Sequence, residues 1–149
     1  GGRLAGARCV KYYPDKNQIS NNASNDVVVF RLADVLLMKA EAILRGATNG
    51  TAAQALAAAN EVRGRAFPLN PEKQFTASTL TLDALLKERA LELTFEVSRR
   101  TDMIRFGKWE NAMLFKPANA GETFKRVFPV PARALSNNSN LTQNPGYTN

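Results

Sequence analysis

Three glutamates, Glu88, Glu92 and Glu96, recur every four residues in a stretch rich in leucine and arginine. On a helix this spacing puts all three on one face, where each like-charged neighbour costs an isolated helix about 0.2–0.5 kcal/mol. Cations must offset that cost. Arg100 continues the row, Arg89 and Arg99 lie beside it, and Arg63 and Arg65 end an alanine-rich segment from which they could reach across. Arg31 and Asp34 offer further partners. Three kinds of chemistry suit such a row. A carboxylate-bridged metal site in a helical bundle needs Glu-x-x-His on facing helices, and this chain contains no histidine. A glycosidase pair needs one carboxyl that keeps its proton near neutral pH, whereas arginine neighbours favour the ionised form. An arginine–glutamate network between helices gives every charge a planar, bidentate partner, and this is the reading the sequence favours.

The missing histidine also removes the commonest general base and every Ser-His or Cys-His nucleophile arrangement. No catalytic residue, metal ligand or cofactor site is expected, and the ligand-binding residues are not legible. Trp109 with Phe106 and Phe115 could stack on a sugar ring, as could Tyr12 and Tyr13, although large aromatics more often fill a core. Asn22, Asn49, Asn137 and Asn140 each head an Asn-x-Ser/Thr triplet. That triplet arises readily by chance in an asparagine-rich chain and carries no weight.

The elements that must position these residues are mostly helical. Leu32, Val35, Leu36, Met38, Ile43 and Leu44 cover a broad face from about Leu32 to Arg45, with Asp34, Glu41 and Arg45 on another, which predicts an amphipathic helix ending before Gly46. After a short turn, Ala52 to Arg65 reads as an alanine helix with Leu56 and Val62 as its large apolar residues. The two helices span about the length of one tetratricopeptide unit, a unit that buries its apolar face only against neighbours. Phe67 to Ser78 has two prolines and no periodicity, so it reads as a loop. Thr79 or Thr81 can then cap a long helix running to about Gly107, roughly 38 Å at 1.5 Å per residue. Phe128-Pro129-Val130-Pro131 must be extended, because proline biases its predecessor away from the helix. The tail from Asn137 to Asn149 is polar, with Leu141 and Tyr147 to hold it down. At the other end, Val10 to Tyr13 and Val27 to Phe30 predict two short strands of a small β-hairpin.

Composition sets the outer limits. The chain has 149 residues, 44% of them hydrophobic, enough for one domain with a real core. Its 20 Lys and Arg against 13 Asp and Glu give +7, but the charges alternate and form no basic run, which argues against a nucleic-acid partner. The run Val35-Leu36-Leu37-Met38 is cut by Lys39, far short of the ~20 residues that span a bilayer. Cys9 is the only cysteine, so no internal disulfide is possible. Leu4 to Cys9 superficially resembles a lipoprotein cleavage site, yet it has no preceding apolar region and carries Arg8 where a small residue belongs, so Cys9 reads as structural. The chain opens Gly1-Gly2 and its first methionine is Met38, which reads as a processed, trimmed or recombinant piece rather than an intact translation product.

Five short motifs add to this. Phe30-Arg31-Leu32-Ala33-Asp34-Val35-Leu36-Leu37-Met38-Lys39-Ala40-Glu41-Ala42 resembles the "RxADxLLxxAEA" helix of the SusD/RagB family, and Asn60 to Ala66 resembles its "NxVRxRA". Glu88 to Glu96 with Arg99 to Gly107 is similar to its "ERxxELxFEGxRxxDxxRxG". Phe128 to Pro131 and Asn140 to Tyr147 look like its closing "FPIP" and "NxxLxQNPGY". Val97 stands where the family usually has glycine and Ser98 where histidine is frequent, departures that bear on the local backbone bend and leave the charged row untouched. The resemblance implies a surface lipoprotein of Bacteroidetes with no enzymatic activity, which captures oligosaccharides or sometimes peptides and passes them to a SusC-like TonB-dependent outer-membrane transporter. It implies a mainly α, SusD-like C-terminal region with the further helical repeats, most glycan-contacting positions and the lipid anchor upstream. No ligand residue carries over, because none of the matching motifs is a ligand motif. The alternative is a structural or interaction module that packs on the rest of the protein and on the transporter. A hydrolase is the third class.

Overall fold

The computed structural model describes residues 11–13, 15–17, 19, 25–26, 28–113 and 115–148. The chain divides into two compact units, Gly1–Arg31 and Leu32–Asn149. In the first, the described residues include Lys11 to Tyr13 and Val28 to Phe30, which form no strand; the rest of the expected hairpin, and Cys9, lie outside the described residues. Asn25 donates to the Tyr13 carbonyl at 3.1 Å.

The second unit is helical: α1 (Leu32–Leu44), α2 (Ala52–Ala66), α3 (Leu82–Glu92), α4 (Arg99–Arg105) and α5 (Ala132–Asn137), with single 3-10 turns at Pro71–Lys73 and Thr123–Arg126. Gly46 ends α1 at φ 97°, with Ala47 N–H bonded to the Ala42 carbonyl and Gly46 N–H to the Ile43 carbonyl. That pairing satisfies carbonyls the helix leaves open, and it needs the left-handed conformation that glycine adopts without steric cost. Thr51 then starts α2 with a reciprocal cap: its hydroxyl accepts from Gln54 N–H, and the Gln54 side chain accepts from Thr51 N–H.

Small residues decide the packing. Ala55, Ala58, Ala59 and Val62 of α2 are buried against Leu37 and Ala40 of α1, and Leu80 and Leu85 complete the core. Alanine at the contact lets the two helix axes approach closely, so α1 and α2 form the most extensive interface in the fold, with α3 laid against both. The loop after α2 is tied down by Asn60, whose amide donates to the Phe75 carbonyl at 2.9 Å and accepts from Phe75 N–H at 2.7 Å.

The single long helix expected from Thr81 to Gly107 is two helices. Thr81 does cap α3, accepting from Ala84 N–H at 3.1 Å, while Thr79 serves the preceding turn by accepting from Thr76 N–H. The helix stops at Glu92 because Phe95 and Val97 take φ of 66° and 61°. Two left-handed residues within three positions cannot continue a right-handed helix. The chain turns there, and α4 folds back on α3. Further on, Phe128 to Val130 belong to no helix, Pro131 takes φ −58° and ψ 136°, and α5, which no pattern in the sequence announces, follows directly.

On α1 the broad apolar face is only partly covered. Leu36, Ile43 and Leu44 pack on the core, whereas Leu32, Val35 and Met38 are exposed. No helix among the described residues is long and apolar enough to cross a membrane.

Candidate functional site

Two of the three glutamates, Glu88 and Glu92, join α2 to α3, while Glu96 lies in the bend beyond the end of α3. Glu88 is buried and receives Arg63, whose guanidinium also donates to the Lys73 carbonyl and lies over the Phe67 and Phe75 rings at 5.2 and 4.6 Å. One turn on, Arg65 Nη2 lies 2.7 and 2.9 Å from the two oxygens of Glu92. These two arginines sit at the end of the alanine helix because its last turn runs alongside the middle of α3.

The other three arginines of the row go elsewhere, Arg99 to the Leu86 carbonyl at 3.3 Å. Arg89, 3% exposed, turns away from the row and donates to Asp102 Oδ2 at 2.9 Å. Its Nη1 lies 2.8 Å from Asp34 Oδ1, an attraction of charges whose angle falls outside hydrogen-bond geometry. Arg100, one turn further than the row reaches as a helix, is carried off it by the bend at residues 93–98. It donates to the Lys125 and Arg126 carbonyls at 2.7 and 3.2 Å and lies over the Trp109 and Phe128 rings at 4.9 and 4.1 Å.

The centre of charge is a chain of residues that the sequence alone does not assemble. From Arg89 it continues through Asp102, which is 1% exposed, to Arg105 at 2.7 Å, and from Arg105 to both oxygens of Glu41 at 2.9 Å each. Arg45 closes it on Glu41 at 2.9 Å. Asp34, Arg89, Asp102, Arg105, Glu41 and Arg45 thus alternate in sign from α1 to α3 to α4 and back to α1. Burial works against ionisation of Glu41, but the bonds and charges of Arg105 and Arg45 outweigh it and hold the carboxyl below its ordinary value. Arg105 is raised in turn, chiefly by its bond to Glu41. The signal for this chain of charges is Asp34 and Glu41 two turns apart on one face and Asp102 and Arg105 three residues apart. Without the bend after Glu92, nothing in the sequence brings those faces together.

This arrangement is built to hold charge in place. A carboxyl that must donate a proton near neutral pH needs its ionised form disfavoured, and Glu41 is shifted the other way. Among the described residues no group of three acidic or thiol side chains converges as a cation site. The aromatic candidates are similarly engaged: Phe106 lies under Arg45 and Arg105 at 4.7 and 5.4 Å, and Trp109 under Arg100 and Lys116. Phe115, by contrast, is 97% exposed, and Tyr12 and Tyr13 are exposed in the first unit. An open pocket of about 540 Å³ is lined by Pro129, Val130, Pro131, Leu135 and Gln143, but the Gln143 amide is already bonded to Val130 N–H and C=O.

The chain is similar to one family of known proteins. The SusD family matches over residues 5–147. Starch-binding protein SusD of Bacteroides thetaiotaomicron is 32% identical over 131 residues, covering 82% of this chain and 22% of that protein. A SusD-like protein of Formosa agariphila is 30% identical over 153 residues, covering 94% of this chain and 28% of its own. The crystal structure of a SusD superfamily protein from Bacteroides vulgatus aligns with a TM-score of 0.66 at 32% identity, over 82% of this chain and 28% of the other. The chain therefore spans between a fifth and a third of the length of these relatives.

Proposed function

This chain belongs to the SusD family, and from that membership we propose that it forms part of a nutrient-binding protein at the outer-membrane surface. The protein binds oligosaccharide or another nutrient without converting it and delivers it to a SusC-like TonB-dependent transporter. The family match over residues 5–147 carries this reading, and similarity to a protein named for starch binding favours a glycan as the ligand. The chain's share of the relatives' length supports its being part of a longer protein, and the resemblance of its motifs makes it the C-terminal part of a lipoprotein whose lipid anchor lies upstream. Within that protein the α1–α2 pair acts as one unit of a helical repeat, and the exposed Leu32, Val35 and Met38 are the face a neighbouring unit covers.

The described charges serve this function as framework. Glu88, Glu92, Asp102 and Glu41 are buried, and each is bonded to arginine, so they fix how the helices meet. The full-length parent should give saturable binding to a panel of oligosaccharides by isothermal titration, with the glycan recovered unchanged. Turnover of any bound oligosaccharide by the purified protein would defeat the non-enzymatic reading. Absence of binding across glycan and peptide panels would defeat nutrient capture.

A further inference from the structure

Arg100 leaves the helices to meet four residues of the following stretch at once. Its Nη2 donates to the Lys125 and Arg126 carbonyls, and its guanidinium carbon lies 4.9 Å from the Trp109 ring centre and 4.1 Å from that of Phe128. All four of these contacting groups are neutral. What they offer is two π faces, each with its negative quadrupole toward the cation, and two carbonyl dipoles. Such a set recognises a planar cation with donors at its edge. A guanidinium can lie flat on aromatic faces while its forked N–H groups reach carbonyls in its plane, whereas an ammonium such as Lys116, 5.2 Å from the same Trp109 ring, is a compact charge without that planar fork.

The residues that receive Arg100 belong to a stretch with its own bonding. Asn144 donates to the Phe128 carbonyl at 2.7 Å, Gln143 pairs with Val130 through N–H and C=O, and the Tyr147 hydroxyl donates to the Val127 carbonyl at 2.8 Å. Tyr147 meets Phe124 edge to face at 5.0 Å. Gly146 sits at φ 89° against the same ring, where a β-carbon would collide with it. The 3-10 turn, the extended segment and the tail are thereby one hydrogen-bonded strap. Among the described residues the main helix contacts are α1 with α2, α1 with α3, α2 with α3 and α3 with α4, and α5 makes none of them.

We propose that Trp109, Phe128 and the carbonyls of Lys125 and Arg126 form a receptor for one planar cation, filled from within by Arg100. Through that receptor Arg100 pins the strap to α4, so the strap opens as a unit around the pin before the helices unfold. Removing the side chain leaves a vacant receptor that free methylguanidinium occupies.

Trp109 is the only tryptophan of the chain and reports on its own site. The test is Arg100→Ala, followed by hydrogen exchange and by Trp109 fluorescence. Peptides from residues 123–148 should exchange about tenfold faster, the scale expected from loss of a desolvated cation–π contact and its hydrogen bonds, while residues 32–92 keep the parent's rates. Millimolar methylguanidinium should restore strap protection and give a saturable fluorescence change. Sodium chloride at equal ionic strength should do neither, and methylammonium should act more weakly than methylguanidinium. Unchanged exchange in 123–148 would place the pin elsewhere. Faster exchange spread evenly through α1 to α3 would make Arg100 an ordinary stability residue, and an open strap with no saturable response would remove the receptor. Should Arg100→Ala not fold, Arg100→Lys keeps the charge without the planar fork. Its acceleration should be confined to 123–148, and a uniform loss or parent-like exchange would equally overturn the proposal.

Discussion

In the helical part, residues 32–105, arginine mostly meets carboxylate, although Arg99 donates to the Leu86 carbonyl at 3.3 Å. In residues 109–148, cations and amides mostly meet main-chain oxygens. Arg63, Arg65, Arg89, Arg105 and Arg45 all reach carboxylates. Arg100 reaches two carbonyls, Lys116 reaches the Trp109 and Asn111 carbonyls and Asn119 Oδ1, and Gln143, Asn144 and Tyr147 serve the main chain of residues 127–130. Backbone chemistry explains the difference. A helix satisfies its own N–H and C=O groups except at its ends, so side chains between helices must satisfy one another. An extended segment with Pro129 and Pro131 has carbonyls open and few donors, so side chains come to it. The ion pairs Arg126–Glu110 and Lys125–Glu122 do occur in the second region, on its surface. The two regions hold together by different kinds of interaction and should fail differently.

The sharpest way to break the comparison is Asp102→Asn. Asp102 is 1% exposed and bonded to Arg89 and Arg105, so its loss leaves the buried Arg89 with Asp34 as its remaining carboxylate, outside hydrogen-bond geometry. Removing one partner of a buried pair costs about 3–5 kcal/mol, much of a domain's net stability. Urea unfolding should show that loss as a lower midpoint with an unchanged slope. A cost below about 1 kcal/mol would mean the chain of charges is solvated. The same chain of charges gives the pH dependence its sign. The folded state holds Glu41 below its ordinary value of 4.5, so it contributes stability that is complete above that value and lost as pH falls through the folded one. Stability should therefore drop on acidification below about pH 4.5, and Glu41→Gln should flatten that limb of the curve. Equal acid limbs in parent and variant would remove Glu41 from the account.

A smaller effect is expected at the edge of the first region. Glu92 is buried, but Arg65 is 67% exposed along its side chain, so the arginine can rehydrate when its partner is neutralised. Glu92→Gln should cost about 1–2 kcal/mol, between the exposed and buried limits for ion pairs. A cost equal to that of Asp102→Asn would show that Arg65 depends on its carboxylate as fully as Arg89 does.

How far the sequence is legible follows from the range of each signal. The ends of α1 and α2 are readable because Gly46, Thr51 and the apolar spacing act within a turn or two of themselves. The partners of Glu88 and Glu92 are readable because Arg63 and Arg65 end a helix that can only lie alongside. Arg89 and Arg100 find partners other than the expected ones because one break, at residues 93–98, redirects everything after it. No proline or glycine marks that break. The pairing of Asp102 and Glu41 through Arg105 escapes the sequence for the same reason, since these residues become neighbours only when α4 folds back. Tyr147 holds the tail as expected whereas Leu141 stays exposed, and short α5 has no periodicity to reveal it.

The break itself yields the last and smallest prediction, one that sharpens the comparison by asking what the turn between the two helices costs. Val97 takes φ of 61° with its side chain 93% exposed. A β-branched residue in that region is a steric outlier, and a residue held in such a region stores roughly 1–3 kcal/mol. Valine gains nothing by burial there to offset the strain. Glycine adopts the same angles without steric cost but loses about 0.5–1 kcal/mol more conformational freedom on folding. The difference favours the variant, so Val97→Gly should stabilise the chain by about 1 kcal/mol, read as a small upward shift of the urea midpoint. Phe95, at φ 66° and also exposed, should respond in the same direction. A destabilised Val97→Gly would mean that residues 93–98 do not adopt this turn, and α3 would then run on toward Arg100 as one helix.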